Sequence, residues 1–269
     1  MKARTGTTPA AQSLTVAFAG GAAVGVLGGL IGLGGAEFRL PLLLSVFGFA
    51  ALAAVIVNKT MSLVVVIAAV PARLAGVPLA DVGAEWAAVV NLLAGSLIGA
   101  WVGASWATRM RTTTLYRVLA VLLVFLAAVF AAERFGTTRP ADLSDPARLV
   151  AGVVAGLGIG VVAALMGVAG GELLIPTFVL LFAVDTKLAG SLSLLVSLPT
   201  MLVAFFRYSR DQAFAVLADN RGFVVAMAAG SVAGSVAGGL LVGLITEAVL
   251  VPLLVALLLF LAVKVWNRR

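Results

Sequence analysis

The stretch that decides the fold occurs twice: GVLGGLIGLGGAEFRLP at residues 25–41 and GVVAALMGVAGGELLIP at residues 160–176. The two copies align without a gap over residues 25–63 and 160–198, an offset of 135 positions. Each copy places a glycine-rich break, a carboxylate and a proline inside a strongly apolar segment. In membrane proteins this pattern is typical of two broken helices from homologous halves, which usually meet at a substrate site.

The composition indicates the class of protein. The chain has 269 residues, of which 62% are hydrophobic and 11% are charged, and its mean hydropathy is +1.19. A soluble domain of this size cannot cover so much apolar surface, so we expect a polytopic helical membrane protein. The apolar runs are continuous rather than alternating, which disfavours a β-barrel.

The residues that are missing from the sequence exclude several chemistries. The chain has no cysteine and no histidine, which excludes a disulfide framework, a thiol nucleophile and the usual zinc and haem ligands. The net charge of +7 arises in short loops and at the termini, as the positive-inside bias expects. No nucleotide-binding motif is present. We therefore expect a non-enzyme without cofactor or metal, and with neither nucleic acid nor nucleotide as a partner.

The hydropathy pattern predicts eight long helices and two short ones. The long apolar runs lie near residues 13–34, 51–72, 84–107, 115–132, 149–168, 186–206, 222–244 and 248–265. The short runs, 37–48 and 172–183, each measure roughly 18 Å as helix, which is too short to cross a ~30 Å hydrocarbon core. Each short run either spans part of the membrane or turns back as one arm of a re-entrant hairpin.

The duplication extends over nearly the whole chain. At the same offset, Gly95, Gly99 and Gly103 match Gly230, Gly234 and Gly238. These glycines form a small-residue stripe of the kind that packs membrane helices together. We expect a first membrane repeat at 1–132, an extracytoplasmic linker at 133–148 and a second membrane repeat at 149–269.

The loop charges predict that the two repeats have opposite orientations. The loop after the run 84–107 carries Arg109, Arg111 and Arg117, whereas its counterpart in the second half carries only Glu247. The loop before this run shows the reverse bias. By the positive-inside rule, equivalent loops then lie on opposite sides of the membrane. The fold class predicted is all-α, with two inverted-topology repeats in the inner (cell) membrane and both termini in the cytoplasm.

The glycine block followed by Glu and Pro, present once in each half, resembles the sulfite exporter TauE/SafE family of membrane transporters. The segments NKTMSL at 58–63 and SLSL at 191–194 share this resemblance. It implies export of small anions, typically sulfite, sulfonates or related organic acids. Ala36 and Ala169 stand where the family usually has glycine, and a position that needs a positive φ angle would accept alanine poorly.

The residues themselves point to an anion site in the same place. A helix that starts after a glycine break presents free N–H groups at the positive end of its dipole, which suits an anion. The alternative is that the glycines only permit tight packing. The candidate substrate-binding residues are Gly34, Gly35, Ala36, Glu37, Asn58, Lys59 and Ser62 in the first half and Gly170, Gly171, Glu172, Ser193 and Ser197 in the second.

Glu37 and Glu172 are candidates for proton coupling. A carboxylate at membrane depth is costly and for that reason is usually functional. Two other interpretations remain open. Each glutamate caps the short helix that follows it, or each forms a salt bridge.

The polar residues after each break allow two interpretations as well. Lys59 is a counter-charge for an anion, or it reaches the interface or pairs with a glutamate. Asn58 and Ser62 share a helix face, as do Ser193 and Ser197 in the second half. Both pairs either bind oxyanion oxygens or hold helices together. Lys59 and Arg39 have no charged counterpart in the second half, so the first half is expected to supply the cation. Arg39 is also consistent with a position at a membrane interface.

The leading functional hypothesis is a secondary transporter that exports a small anion, with proton coupling as a candidate feature. The alternatives are an anion channel or pore, and a cation transporter that uses the buried glutamates. The expected partners are the small anionic substrate and the lipid bilayer. The sequence leaves the choice between a monomer and a homo-oligomer open.

Overall fold

The computed structural model describes residues 13–31, 34–75, 79–135, 141–241 and 247–267, and all regular secondary structure within them is helical. The first half comprises α1 (Leu14–Ile31), α2 (Ala36–Ser45), α3 (Ala51–Ala75), α4 (Leu79–Ala84), α5 (Trp86–Ala107) and α6 (Thr112–Phe135). The second half comprises α7 (Asp145–Met166), α8 (Gly171–Phe182), α9 (Thr186–Tyr208), a 3₁₀ turn (Gln212–Ala215), α10 (Val216–Asp219), α11 (Arg221–Leu240) and α12 (Glu247–Trp266).

Among the described residues, six helices are long and apolar enough to cross a membrane: α3, α5, α6, α7, α9 and α11. This confirms the prediction of an all-helical polytopic membrane protein. The count differs from the eight long spans that hydropathy predicted. The remaining two expected spans correspond to α1 and α12, whose apolar stretches, Leu14–Leu30 and Leu250–Trp266, are shorter.

Both short helices fold back along the helix that precedes them. At the first break, Gly35 lies against Val24 and Gly28 of α1, and a methyl group added at Gly28 would collide with the backbone nitrogen of Gly35. Further along, Phe47 lies beside Gly20. The chain therefore runs back towards the start of α1, and α2 is the return arm of a hairpin.

The second break has the same arrangement. Gly170 lies beside Ile159 and Ala163 of α7, and Phe182 at the end of α8 lies beside Gly152. The fold-back of both short helices agrees with the hairpin interpretation of the short segments.

Two glycine-lined contacts join the halves. Helix α1 runs parallel to α11, and α5 runs parallel to α7. The glycines lie directly on carbonyl groups of the partner helix: Gly21, Gly25 and Gly29 on Met227, Ser231 and Ser235, and Gly95, Gly99 and Gly103 on Val153, Leu157 and Val161. A Cβ atom has no room at these contacts, so the packing role predicted for the stripe is observed.

The remaining contacts place the two hairpins in the centre of the bundle. Helices α3 and α9 pack on each other and on the short helices α2 and α8. Helices α6 and α12 pair in opposite directions: the Arg117 guanidinium, near the start of α6, lies 6.0 Å from the ring of Trp266 at the end of α12. Val124 and Leu259 line the same groove further along. The two hairpins therefore lie among the long helices of both halves.

Candidate functional site

Glycine occupies the positions of the two breaks where the backbone needs it. The φ angles of Gly34 and Gly35 are 87° and 69°, and those of Gly167 and Gly170 are 71° and 86°. Among the described non-glycine residues, only Ala183 has a positive φ. Ala36 and Ala169, which replace family glycines, therefore occupy ordinary backbone conformations and cause no strain.

Arg39 is the centre of a buried hydrogen-bond network. Its side chain, on α2, is fully buried. Its guanidinium donates to Asn58 Oδ1 at 2.8 Å and Ser62 Oγ at 2.8 Å, both on α3. A third bond reaches Ser231 Oγ on α11 at 3.1 Å. This position corrects the expectation of a membrane interface for Arg39: the residue lies in the first turns of a short helix that folds inward.

The α3 residues of the first half hold the break of the second half. Asn58 donates to the carbonyl oxygens of Ala36 and Met166, each at 3.0 Å. Ser62 Oγ lies 2.8 Å from the Asn58 carbonyl of its own helix and 3.1 Å from the Gly167 carbonyl, so its single hydrogen is shared between the two. These bonds attach both breaks to one helix, which corresponds to the helix-holding interpretation of the polar stripe.

Lys59 lies at the carboxyl end of α7. Its Nζ donates to the carbonyl oxygens of Ala163 at 2.9 Å and Val168 at 2.6 Å, and the side chain is 1% exposed. Carbonyl groups at a helix carboxyl end lack partners within the helix and carry partial negative charge. The lysine therefore neutralises the end of α7, and it does not extend to the interface.

Glu37 and Glu172 are close enough for their carboxyl groups to act on each other. Each is the second residue of its short helix, and their exposures are 0% and 3%. No other side chain within the described residues donates a hydrogen bond to the four carboxyl oxygens. The backbone N–H groups of Glu37, Glu172 and Gly170 act on them at longer range. Arg39 acts electrostatically on Glu37, and Lys59 acts on Glu172.

Backbone N–H groups at the start of each short helix act on both carboxyl groups, so the capping interpretation stays open. The salt-bridge interpretation finds no ion pair at either glutamate in the described part of the chain. The ion pair found there is Arg148–Asp145, at 3.5 Å on the surface. Two adjacent, unbonded carboxyl groups inside a membrane protein are an expensive arrangement. A proton on either group would remove the repulsion between their charges.

A cavity of about 60 Å³ lies beside the breaks. It is lined by Gly34, Val65, Val66, Ala69, Ala169, Gly171, Ile175, Gly190, Ser193, Leu194 and Ser197. The Oγ atom of Ser197 is buried and has no partner among the described residues. Ser193 Oγ donates to the Gly190 carbonyl at 2.9 Å. A larger cavity of about 450 Å³ shares Gly34, Val65 and Ala69 with it.

The twelve candidate residues thus fall into three groups. Gly34, Gly171, Ser193 and Ser197 line the small cavity. Asn58, Lys59 and Ser62 form the network that holds the breaks, and Gly35, Ala36, Glu37, Gly170 and Glu172 form the turns and the carboxyl pair.

Ser231 and Gly190 are site-forming residues that the sequence analysis missed. Ser231 is a residue of the glycine stripe, where only packing was expected. A serine among stripe glycines is the one signal that points to it, and this signal alone names no partner.

A bundle of apolar helices that encloses two glycine-broken hairpins, buried charges and a small cavity defines a polytopic membrane transporter. The family model described as Sulfite exporter TauE/SafE matches residues 11–265, so the chain belongs to this family. Its members are membrane transporters for sulfite and sulfonate export, not enzymes. No curated protein matches the chain, and no solved structure does.

Proposed function

We propose that the chain is a secondary transporter that exports a small anion such as sulfite, an organosulfonate or a related organic acid. The observation that carries this proposal is the small cavity between the breaks, with the unpartnered Ser197 hydroxyl in its wall. Its volume of about 60 Å³ corresponds to roughly four or five water-sized probes. That space suits a compact oxyanion better than a long organic molecule.

The anion site is proposed to consist of Ser193, Ser197 and the first N–H groups of α8, which begins at Gly171. Hydroxyl and helix-start N–H groups are donors that favour anions. Arg39 and Lys59 are bonded to neutral partners, so they act as a positive background and leave direct contact with the anion to the donors of the second half. Gly34, at the opposite wall, allows close approach to the backbone.

The two halves are proposed to be inverted repeats, with boundaries at 1–132 and 149–269 and an extracytoplasmic linker at 133–148. The opposite directions of α6 and α12 support this, because these helices are equivalent in the two halves. The helix pairs α1–α11 and α7–α5 support it further, because the first helix of each half packs on the equivalent helix of the other half. Both termini then lie in the cytoplasm, and the inner membrane is the proposed location.

Glu37 and Glu172 are proposed to couple anion movement to protons. While both carboxyl groups are ionised, their charges repel each other and any anion in the adjacent site. A proton taken up by the pair relieves both repulsions, so proton binding and anion binding favour each other. This linkage is reciprocal, so lower pH should tighten anion binding. Proton and anion then move in the same direction, and export is driven by the outward gradient of the anion.

The test uses purified protein in liposomes, with radiolabelled sulfite and a clamped membrane potential. We expect an imposed pH gradient to accumulate sulfite above its outside concentration. Methanesulfonate, a permanent anion, serves as the second substrate because sulfite itself binds protons near neutral pH. A pore would only equilibrate either anion. A cation transporter would show no competition by sulfite or methanesulfonate.

Substitutions then separate the roles. S197A should weaken anion uptake without affecting folding, while S209A, which alters an exposed serine bonded only to its own helix, should leave uptake unchanged. E37Q and E172Q should retain exchange of anion between the two sides and lose accumulation driven by pH. If both variants still accumulate anion as the parent does, the proposed proton role is wrong.

A further inference from the structure

The two halves differ at equivalent positions around the central cavity. The larger cavity lies between α1, α3 and α11 and joins the small one at Gly34, Val65 and Ala69. The 135-residue offset maps its walls onto α7, α9 and α5. At Gly239 in this wall, a Cβ atom would meet nothing within 4 Å.

The equivalent region of the other half is filled. Val65 and Ala69 correspond to Thr200 and Ala204, and Gly239 corresponds to Ala104. Thr200 is 2% exposed, and Ala104 and Ala204 are fully buried. Space that is open on the α3–α11 side is thus occupied by packed side chains on the α9–α5 side.

Hydrogen bonds close this second side. Thr200 Oγ1 and Ser96 Oγ lie 2.7 Å apart and join α9 to α5. The counterparts of this pair are Val65, which has no polar group, and Ser231, which binds Arg39 instead. The direct link between α9 and α5 therefore has no equivalent between α3 and α11.

Three further bonds extend the closure along α9. The Arg207 guanidinium donates to Ser105 Oγ at 2.7 Å and Thr108 Oγ1 at 3.3 Å, both on the α5 side. The Tyr208 hydroxyl donates to the Ala164 carbonyl at 2.9 Å. Together with the Thr200–Ser96 pair, they fasten the end of α9 to α5 and α7.

We infer that the α5–α9 contact is the closed gate of the transport cycle, and that the α3–α11 side is the open one. The inference rests on the proposed transport function. In transporters built from inverted repeats, the two halves exchange conformations, so that the site opens to one side and then to the other. Separation of α5 from α9 would create a second cavity, equivalent to the larger one, on the far side of the small cavity.

Thiol labelling of purified protein in detergent tests the gate without any substrate, because the chain has no native cysteine. We place reporters at the equivalent positions with A104C and G239C and treat each with a small charged methanethiosulfonate reagent. G239C should react fast and A104C slowly. T200V, which removes the bond to Ser96, should speed A104C labelling and slow G239C labelling, each by roughly two- to tenfold.

T177V is the matched control, since the Thr177 hydroxyl bonds only the Leu173 carbonyl of its own helix. It should leave both labelling rates unchanged. Equal rates for A104C and G239C in the parent, or rates that do not respond to T200V, would overturn the gate assignment. Y208F provides a second route to the same comparison if T200V folds poorly, because it removes a different bond of the closure.

A bridge across the gate gives an independent test in liposomes. The S96C/T200C pair should bind Cd²⁺ between its thiolates, stop anion uptake, and regain uptake when a chelator is added. Cadmium is used because sulfite cleaves disulfides. Each single variant should be insensitive, and unimpaired uptake by the bridged pair would refute the gate.

The outcomes keep the two proposals apart. If the parent takes up anion but T200V does not change the labelling rates, the proposed transport function stands and the gate assignment is refuted. Responsive labelling without uptake of sulfite or methanesulfonate would keep the gate and refute the proposed substrate class.

Discussion

The substitution Arg39→Lys tests the buried network directly. The arginine fork reaches oxygens on two helices, Asn58 and Ser62 on α3 and Ser231 on α11. Lysine keeps the charge and most of the volume, although its ammonium is more strongly hydrated than a guanidinium, so that burying it also costs more. Its single ammonium group cannot reach both helices in this geometry. We therefore expect R39K to lose about two of the three bonds.

The magnitude follows from the value of such bonds in membranes. Side-chain hydrogen bonds between membrane helices contribute about 0.6 kcal/mol on average and up to about 1.7 kcal/mol. Loss of two should lower the free energy of unfolding by about 1–3 kcal/mol. For a chain of this length, each kcal/mol shifts the midpoint by about 2–4 °C. Thermal unfolding in detergent should show R39K melting roughly 3–10 °C below the parent.

A double-mutant cycle with S231A tests the reasoning behind this number. In the parent, S231A should cost about one such bond, whereas in the R39K background its cost should be near zero. An R39K midpoint within about 1 °C of the parent value would refute the network as a source of stability. Equal S231A costs in both backgrounds would refute the bond between Arg39 and Ser231.

Two further substitutions test the hairpin and the helix end by the same thermal assay. G28A should destabilise by about 1–3 kcal/mol, because its methyl group would meet the Gly35 backbone. The control is G158A, where nothing lies within 4 Å of an added methyl group, and this variant should be more stable by up to about 1 kcal/mol. Equal effects of the two substitutions would contradict the hairpin contact. K59M should destabilise by about 1–3 kcal/mol, since it removes the bonds from the Lys59 ammonium to the Ala163 and Val168 carbonyls. A neutral result would show that Lys59 does not neutralise the end of α7.

The repeat, the breaks and the short helices were predictable because they depend on the local spacing of glycines and on the lengths of apolar runs. A glycine block ends a helix wherever it occurs, and twelve apolar residues cannot cross a bilayer. The packing of the stripe at Gly95, Gly99 and Gly103 was predictable for the same reason. Small residues repeated on one helix face allow another helix to approach closely, whatever the rest of the fold is.

The division of roles between the two polar stripes was not predictable from the sequence. Asn58 and Ser62 hold the same register as Ser193 and Ser197, so the sequence assigned both pairs the same interpretation. The difference arises from Arg39, which engages the first pair, and from its counterpart Leu174, which cannot engage the second. Such a distinction depends on which helix lies opposite, which is a property of tertiary packing.

This asymmetry places the proposed site at a boundary between two sets of helices. The bonds of Arg39, Asn58 and Lys59 join α2, α3, α11 and the end of α7 into one group. Helix α9 faces that group across the small cavity, and it bonds to α5 through Thr200 and to α7 through Tyr208, the contacts assigned to the gate. An anion bound to Ser197 on α9 would also be attracted by the cations of the other group. The strength of this attraction would depend on the distance between the two groups. A ligand shifts a conformational equilibrium only through such differential contacts. The free hydroxyl of Ser197 on α9 can therefore bind the anion. The cations on the opposite side keep their own hydrogen bonds, so that group of helices stays assembled while its distance from α9 changes.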